Sequence, residues 1–114
     1  MIITTTVDNS PASTGDSSNP YVCDDTSDKV FALSYSEATN SSYGFSSSGG
    51  RLAYATDYAK QKGVYVNGGA LYWLRSPYSD GSGDARYVNY DGYFYYGVSY
   101  DDVGVRPAFR IKIS

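Results

Sequence analysis

YSDGSGDARYVNYDGYFYYGVSY, Tyr78 to Tyr100, is written almost entirely in five residue types: seven Tyr, four Gly, three Ser, three Asp and one Asn. At its centre Asp91-Gly92 separates two strand-like runs. A two-residue type I′ turn needs positive φ at both central positions, so Asp-Gly here predicts a β-hairpin. With that turn Val88 faces Tyr95, Tyr90 faces Tyr93 and Tyr87 lies opposite Tyr96. Both faces of the hairpin are then aromatic, and alternation leaves open which one is buried. Tyr has a large amphipathic face and only two rotatable side-chain bonds, while Ser, Gly, Asn and Asp add adaptable hydrogen bonding; this is the composition of a binding surface. The competing reading is an ordinary tyrosine-rich sheet, since Tyr favours strands and Gly, Asp and Asn favour turns.

Around this hairpin everything after Gly63 reads as β. Val64–Val66, Leu71–Ser76, Ala85–Asn89, Tyr93–Val98 and Val105–Ile113 are strand-like runs separated by Gly, Asn, Asp and Pro clusters. Upstream, Ile2 to Val7 is β-branched and predicts a strand, and Asp8 to Pro20 is a loop by composition. Val30 to Leu33 reads as a short buried strand. Ser34 with Glu37 three residues later forms a capping box, which predicts a helix of one or two turns. Ser41 to Gly50 is a second loop. A further helix either starts near Leu52 or is shorter, from Asp57 to Lys62 with Thr56 as N-cap, and ends at Gly63. The fold class expected is α+β over one domain, residues 1–114. Within it, 1–20 form a strand and loop, 21–63 a strand and two short helices, and 64–114 a β-rich display region.

At 114 residues the core is small. Its expected members are Val30, Phe31, Leu33, Leu52, Val64, Val66, Leu71, Leu74, Val88, Val98, Val105, Ile111 and Ile113, with Trp73 and Phe109 as bulky fillers; Tyr rings must supply the rest. The formal charge is −3 and the nine basic residues form no run, so nucleic acid is not an expected partner. Met-Ile-Ile followed by three Thr lacks the basic start and apolar stretch of a signal peptide. No run reaches the ~20 apolar residues of a membrane span.

The chain has no histidine, which removes the commonest general base and the commonest metal ligand together. Cys23 is the only cysteine, so no intrachain disulfide forms, and its expected role is that of a small buried hydrophobe. Asp24, Asp25 and Asp28 sit in a turn, where Asp serves local hydrogen bonds. Read as a calcium loop from Asp24, the register puts Lys29 at the Gly position and Tyr35 at the bidentate Glu position, and the pattern fails. Gly81-Ser82-Gly83 lacks the Lys of a phosphate loop. No metal, no cofactor and no catalytic residue is expected.

Two motifs are more distinctive: WLRSP, Trp73 to Pro77, and GVRPAF, Gly104 to Phe109. Each sets an Arg in an apolar strand beside a Pro. Arg75 and Arg106 there must find carbonyls or carboxylates, as forks that tie loops to the sheet or as ligand contacts.

Asp25, Asp28-Lys29-Val30-Phe31, Leu33-Ser34 with Glu37-Ala38, Thr56-Asp57-Tyr58-Ala59, WLRSP, Ala85 with Val88, Asp91-Gly92 and GVRPAF follow in an order that resembles a bacterial and phage family of C-type-lectin-fold domains. The family is related to the formylglycine-generating-enzyme-like branch and includes the variable proteins of diversity-generating retroelements. The resemblance runs from about Asp25 to the end. It implies short helices packed on a twisted antiparallel sheet, with a ligand surface on the last strands and loops. The family pattern also implies a preceding strand, long helix and Trp/Leu-rich stretch. Only Met1 to Pro20 stands there, as in a minimal version or a piece of a larger chain. Formylglycine-generating chemistry needs paired cysteines and does not carry over.

In retroelement variable proteins, diversification targets template adenines, so Asn codons become Tyr, Asp, Ser, Gly, Val and Phe. Tyr78 to Asp102 fits that outcome, with no Lys, Glu, Gln, Met, Trp, Leu, Ile or Pro. The resemblance thus points to Tyr78, Asp80, Ser82, Asp84, Tyr87, Asn89, Tyr90, Tyr93, Tyr95, Tyr96, Ser99, Tyr100 and Asp101 as ligand contacts, and at least half of the Tyr between Tyr78 and Tyr100 are expected to expose their rings on one contiguous surface. The expected protein is a non-catalytic binder of a protein or glycan target, displayed on a cell surface or virion through a carrier chain or as a homo-oligomer, without membrane insertion. The alternative is a structural or adhesin module with the Tyr packed inside.

Overall fold

A computed structural model describes residues 1–81, 83–98 and 100–113. WLRSP lies in its longest strand, and the chain order is β1 (Ile2–Ile3), β2 (Thr5–Val7), β3 (Thr26–Asp28), α1 (Tyr35–Ala38), α2 (Asp57–Gln61), β4 (Val66–Asn67), β5 (Gly69–Ala70), β6 (Tyr72–Pro77), β7 (Ala85–Val88), β8 (Phe94–Gly97) and β9 (Arg110–Ile111). The class is α+β. The β-structure is divided among four small antiparallel sheets, β1-β9, β2-β3, β4-β5 and β6-β7-β8.

The three-stranded sheet is the centre. β6 alternates strictly, with Tyr72, Leu74 and Ser76 buried and Trp73, Arg75 and Pro77 half-buried. This is the two-residue period of a strand with one covered face. Tyr72 lies opposite Val88, and Val88 opposite Phe94, so one row crosses the inner face. Ala38 of α1, Tyr72, Leu74 and Val88 make the core, with Leu33, Ala53 and Phe94 packed on it.

The hairpin β7-β8 forms where Asp91-Gly92 predicts it, in a register one residue away. Tyr87 pairs with Tyr95, Val88 with Phe94 and Arg86 with Tyr96. The Gly92 amide donates to the Asn89 carbonyl (2.9 Å) and the Asn89 amide to the Tyr93 carbonyl (2.8 Å). Gly92 has φ +84°. That is a three-residue loop, a turn closed by a left-handed glycine that forms a bulge, in place of the tight type I′ turn. Asn89, not Tyr90, therefore faces Tyr93.

Both helices begin where their caps predict. The Ser34 hydroxyl accepts from the Glu37 amide (3.1 Å) and the Glu37 carboxylate from the Ser34 amide (2.9 Å). The Thr56 hydroxyl accepts from the Ala59 amide (3.1 Å), so the second helix is the shorter of the two alternatives.

Several expected core positions are not core. Val30 is exposed, and Phe31 makes only a two-bond bridge with Ala108, so Val30–Leu33 is not a buried strand. The pairing strand lies upstream as β3, against β2. Val105–Ile113 is not a continuous strand, because Pro107 has no N–H to donate and, apart from the Ala108 bridge, its strand pairing is limited to Arg110–Ile111 with β1. Val105 is 79% exposed, and Phe109, Val98, Ile111 and Ile113 are exposed as well. Cys23 is also exposed. The loop after β2 contributes instead: Ser13, Thr14 and Asn19 are buried, and the Asn19 side-chain amide donates to the Pro77 carbonyl (3.0 Å). Among the described residues no helix is long and apolar enough to cross a membrane.

Candidate ligand surface

Strand alternation divides the Tyr-rich segment between two faces. On the face opposite the core, Trp73, Tyr87 and Tyr95 stand directly across from one another on β6, β7 and β8. The Trp73 and Tyr87 rings meet edge-on at 5.6 Å, and Tyr87 and Tyr95 lie near-parallel at 6.1 Å. Tyr100 comes in edge-on to Tyr87 at 6.1 Å. It lies over Gly97, where a Cβ would fall 2.2 Å from the ring, so only glycine admits it. Tyr95 and Tyr100 are 47% and 48% exposed, and Tyr87 at the hub is half-buried. Burial is the main cause that lifts the Tyr87 phenol above its ordinary value, and the neighbouring Tyr100, Asp102 and Tyr95 act in the same direction.

A second cluster lies around the other side. Tyr78 stacks on Tyr96 at 3.8 Å with planes 3° apart. The Arg86 guanidinium sits between them and the first helix, 5.3 Å over Tyr78 and 4.4 Å over Tyr35. The hairpin tip is a third group. Tyr93 is exposed, its amide donating to the Asp91 carboxylate (3.1 Å), and Tyr90 packs near Tyr65 at 6.1 Å.

Four of the seven Tyr, Tyr93, Tyr95, Tyr96 and Tyr100, are thus exposed, but they fall in three groups and not on one contiguous surface. Tyr87, Tyr95 and Tyr100 share the outer face, and Tyr78 and Tyr96 the opposite cluster. Asn89, Tyr90 and Tyr93 belong to the tip. Asp101 is exposed next to Tyr100. Asp80 is exposed in the turn after β6, and the Asp84 carbonyl accepts from the Tyr78 amide (3.0 Å), closing that turn. Ser82 and Ser99 lie outside the described residues. Tyr72 of β6 is buried. Its phenol donates to the Arg51 carbonyl (2.7 Å), and burial raises its pKa above the ordinary value.

Arginines hold this surface in place. Arg75 donates to the Ala32 carbonyl (2.8 Å), the Asp8 carbonyl (2.9 Å) and the Asn9 side chain (3.2 Å), and pairs with Glu37. Arg106 is half-buried and donates to the Tyr72 phenol (3.0 Å). Arg51, which no sequence pattern marks, is buried. Its Nε donates to the Gly92 carbonyl (2.8 Å) and its guanidinium lies 4.5 Å over Phe94, pinning the hairpin tip.

Residues 1–113 match one protein family as a single unit. The chain belongs to the family described as Domain of unknown function (DUF6273). No curated protein and no solved structure matches it. The DUF6273 match takes in both the Arg-tied scaffold and the Tyr-rich strands, so the surface is part of the family's domain. A concavity of about 510 Å³ lies elsewhere, between the second helix and Gly104–Pro107, and none of its lining residues falls between 78 and 101. Among the described residues no three His, Cys, Asp or Glu side chains gather as a metal site.

Proposed function

We propose that this domain is a non-catalytic ligand-binding module of C-type-lectin-like fold, whose Tyr-rich outer face takes a protein or glycan target. The observation that carries the reading is the row Trp73–Tyr87–Tyr95 with Tyr100, an aromatic row crossing three strands, half-buried at Trp73 and Tyr87 and exposed at Tyr95 and Tyr100. Aromatic anchors of this kind supply most of the energy of interfaces, a buried Tyr costing ~2 kcal/mol or more when truncated. The division into β6 scaffold, short helices on its inner side and Tyr-rich strands at the outside agrees with the resemblance to retroelement variable proteins. So does the position of residues 78–102 between two Arg-anchored motifs. Display on a cell or virion through a carrier follows from the same resemblance.

The test pairs thermal unfolding with capture on a glycan panel and a panel of bacterial surface proteins, for the wild type and for a Tyr93→Ser, Tyr95→Ser, Tyr100→Ser variant. Exposed substitutions stay within about 0.5 kcal/mol each, so the fold should persist while capture is lost. Loss of the cooperative transition would make these Tyr core, and would favour the structural or adhesin module. Diversification is tested in the DNA, by a near-copy of codons 75 to 105 differing only at adenines beside a reverse transcriptase gene.

A further inference from the structure

The acidity of the chain is concentrated on its Tyr-rich segment. Residues 78–102 hold five of the twelve acidic side chains, Asp80, Asp84, Asp91, Asp101 and Asp102, and one of the nine basic ones, Arg86; the segment carries −4 and the rest of the chain +1, against −3 in all. Arg86 is turned to the cluster with Tyr35 and Tyr78, away from the outer row. The one ion pair among the described residues is Arg75–Glu37, so none of these five carboxylates has a cationic partner there. Asp101 and Asp102 follow Tyr100 directly, and the Asp102 carbonyl is fixed by the Tyr65 amide (2.8 Å). Ring faces carry negative quadrupole charge, and Tyr87 is ringed by Trp73, Tyr95 and Tyr100. Burial first, and then the charges of Tyr100, Asp102 and Tyr95, hold the Tyr87 phenol above its ordinary value.

From this charge and ring geometry we infer that the outer face takes a cationic partner, an Arg- or Lys-bearing segment of another protein whose guanidinium or ammonium groups lie over Tyr87, Tyr95 and Tyr100 beside Asp101 and Asp102. The inference rests on the ligand-surface reading and narrows its protein-or-glycan alternative to a basic protein segment. Arg suits the site best, because its planar head stacks on rings and forks onto carboxylates at once.

Trp73 is the single Trp of the chain and stands in the row, so its emission reports occupancy. An alternating Arg-Gly peptide, a Glu-Gly peptide and a neutral hexose oligosaccharide are titrated against the wild type and three variants. The variants are Tyr95→Ser with Tyr100→Ser, Asp101→Asn with Asp102→Asn, and Asp24→Asn with Asp57→Asn as a control that removes equal charge elsewhere. Only the Arg-Gly peptide should bind. Its binding should be lost with the two Tyr and fall about tenfold with Asp101 and Asp102, the size of two charge pairs. The control should bind like the wild type. Raising salt from about 0.01 M to 1 M shortens screening from ~30 Å to ~3 Å and should weaken binding further. Oligosaccharide binding that needs Tyr95 and Tyr100, with none to the Arg-Gly peptide, would overturn the cationic inference and leave the ligand surface standing. An equal loss in the Asp24/Asp57 control would overturn it too, as a general effect of net charge. Binding of every probe untouched by the Tyr substitutions would overturn both readings.

Discussion

Replacing Arg75 by Met should be among the costliest single changes in this domain. Its guanidinium ties three parts of the chain to β6: the Asp8–Asn9 turn, the Ala32 carbonyl and Glu37 on the first helix. The side chain is 13% exposed and that of Glu37 19%, so solvent screens the pair only in part. Met fills the volume of the stem but leaves two carbonyls, an amide oxygen and a carboxylate without their donor. Breaking one side of a buried pair costs about 3–5 kcal/mol, and residual exposure places this one near the lower end. With a total stability of about 5–15 kcal/mol, that is a large share. At a urea slope of about 1–3 kcal/mol per molar, the unfolding midpoint followed by Trp73 emission should drop by roughly 1–3 M with the slope unchanged. Arg75→Lys should recover only part, since one ammonium cannot reach all of these acceptors at once. Adding Glu37→Gln to the Met variant should cost less than the sum of the two singles. A midpoint shift worth less than about 0.5 kcal/mol for Arg75→Met would refute the reasoning, because it would mean that these acceptors are satisfied by water.

Leu74→Ala should cost about 2–5 kcal/mol in the same urea assay, while Val105→Ala should stay within about 0.5 kcal/mol, reversing the equal weight that apolar patterning gives them. Gly92→Ala should lower the melting temperature by at least about 4–8 °C, because a Cβ there would sit 1.9 Å from the Ser48 carbonyl oxygen at a left-handed φ. In an ultraviolet absorbance titration Tyr72 and Tyr87 should ionise above the ordinary 10.0, burial being the main cause for each. Because the fold favours their neutral form, they are without effect on stability below that value and destabilise the protein as pH rises beyond it. A Tyr72→Phe variant that loses no late-titrating phenol would refute the assignment.

Legibility in the sequence followed the range of the forces involved. The caps at Ser34 and Thr56 were readable because each is settled by residues three apart. Arg75 was readable because an Arg in an apolar strand has so few solutions. The hairpin is placed by Asp91-Gly92, yet its register differs by one, since the same dipeptide closes a two-residue or a three-residue loop, and here Gly92 donates to the Asn89 carbonyl. That single step moved Tyr95 opposite Tyr87 and created the aromatic row. Val105, Phe109 and Ile111 alternate like a half-buried strand, but a pattern reports a face and not whether the chain has anything to lay over it. Arg51 was unreadable because its partner, the Gly92 carbonyl, is forty-one residues away and is a backbone atom.

The pairing of β1 with β9 carries a consequence for connectivity. The Lys112 amide donates to the Met1 carbonyl (3.0 Å), so the two ends of the described chain lie side by side. A linker of a few residues would close the backbone into a ring, and the Ser46–Ser47 bend of the exposed Ser/Gly loop offers a place to reopen it, since such tips tolerate new termini. The order in which the segments are synthesised is then separable from the shape they make. The same closeness lets the whole unit be grafted into a single loop of a host protein, held at both ends of one short stalk with its Tyr-rich strands left outward.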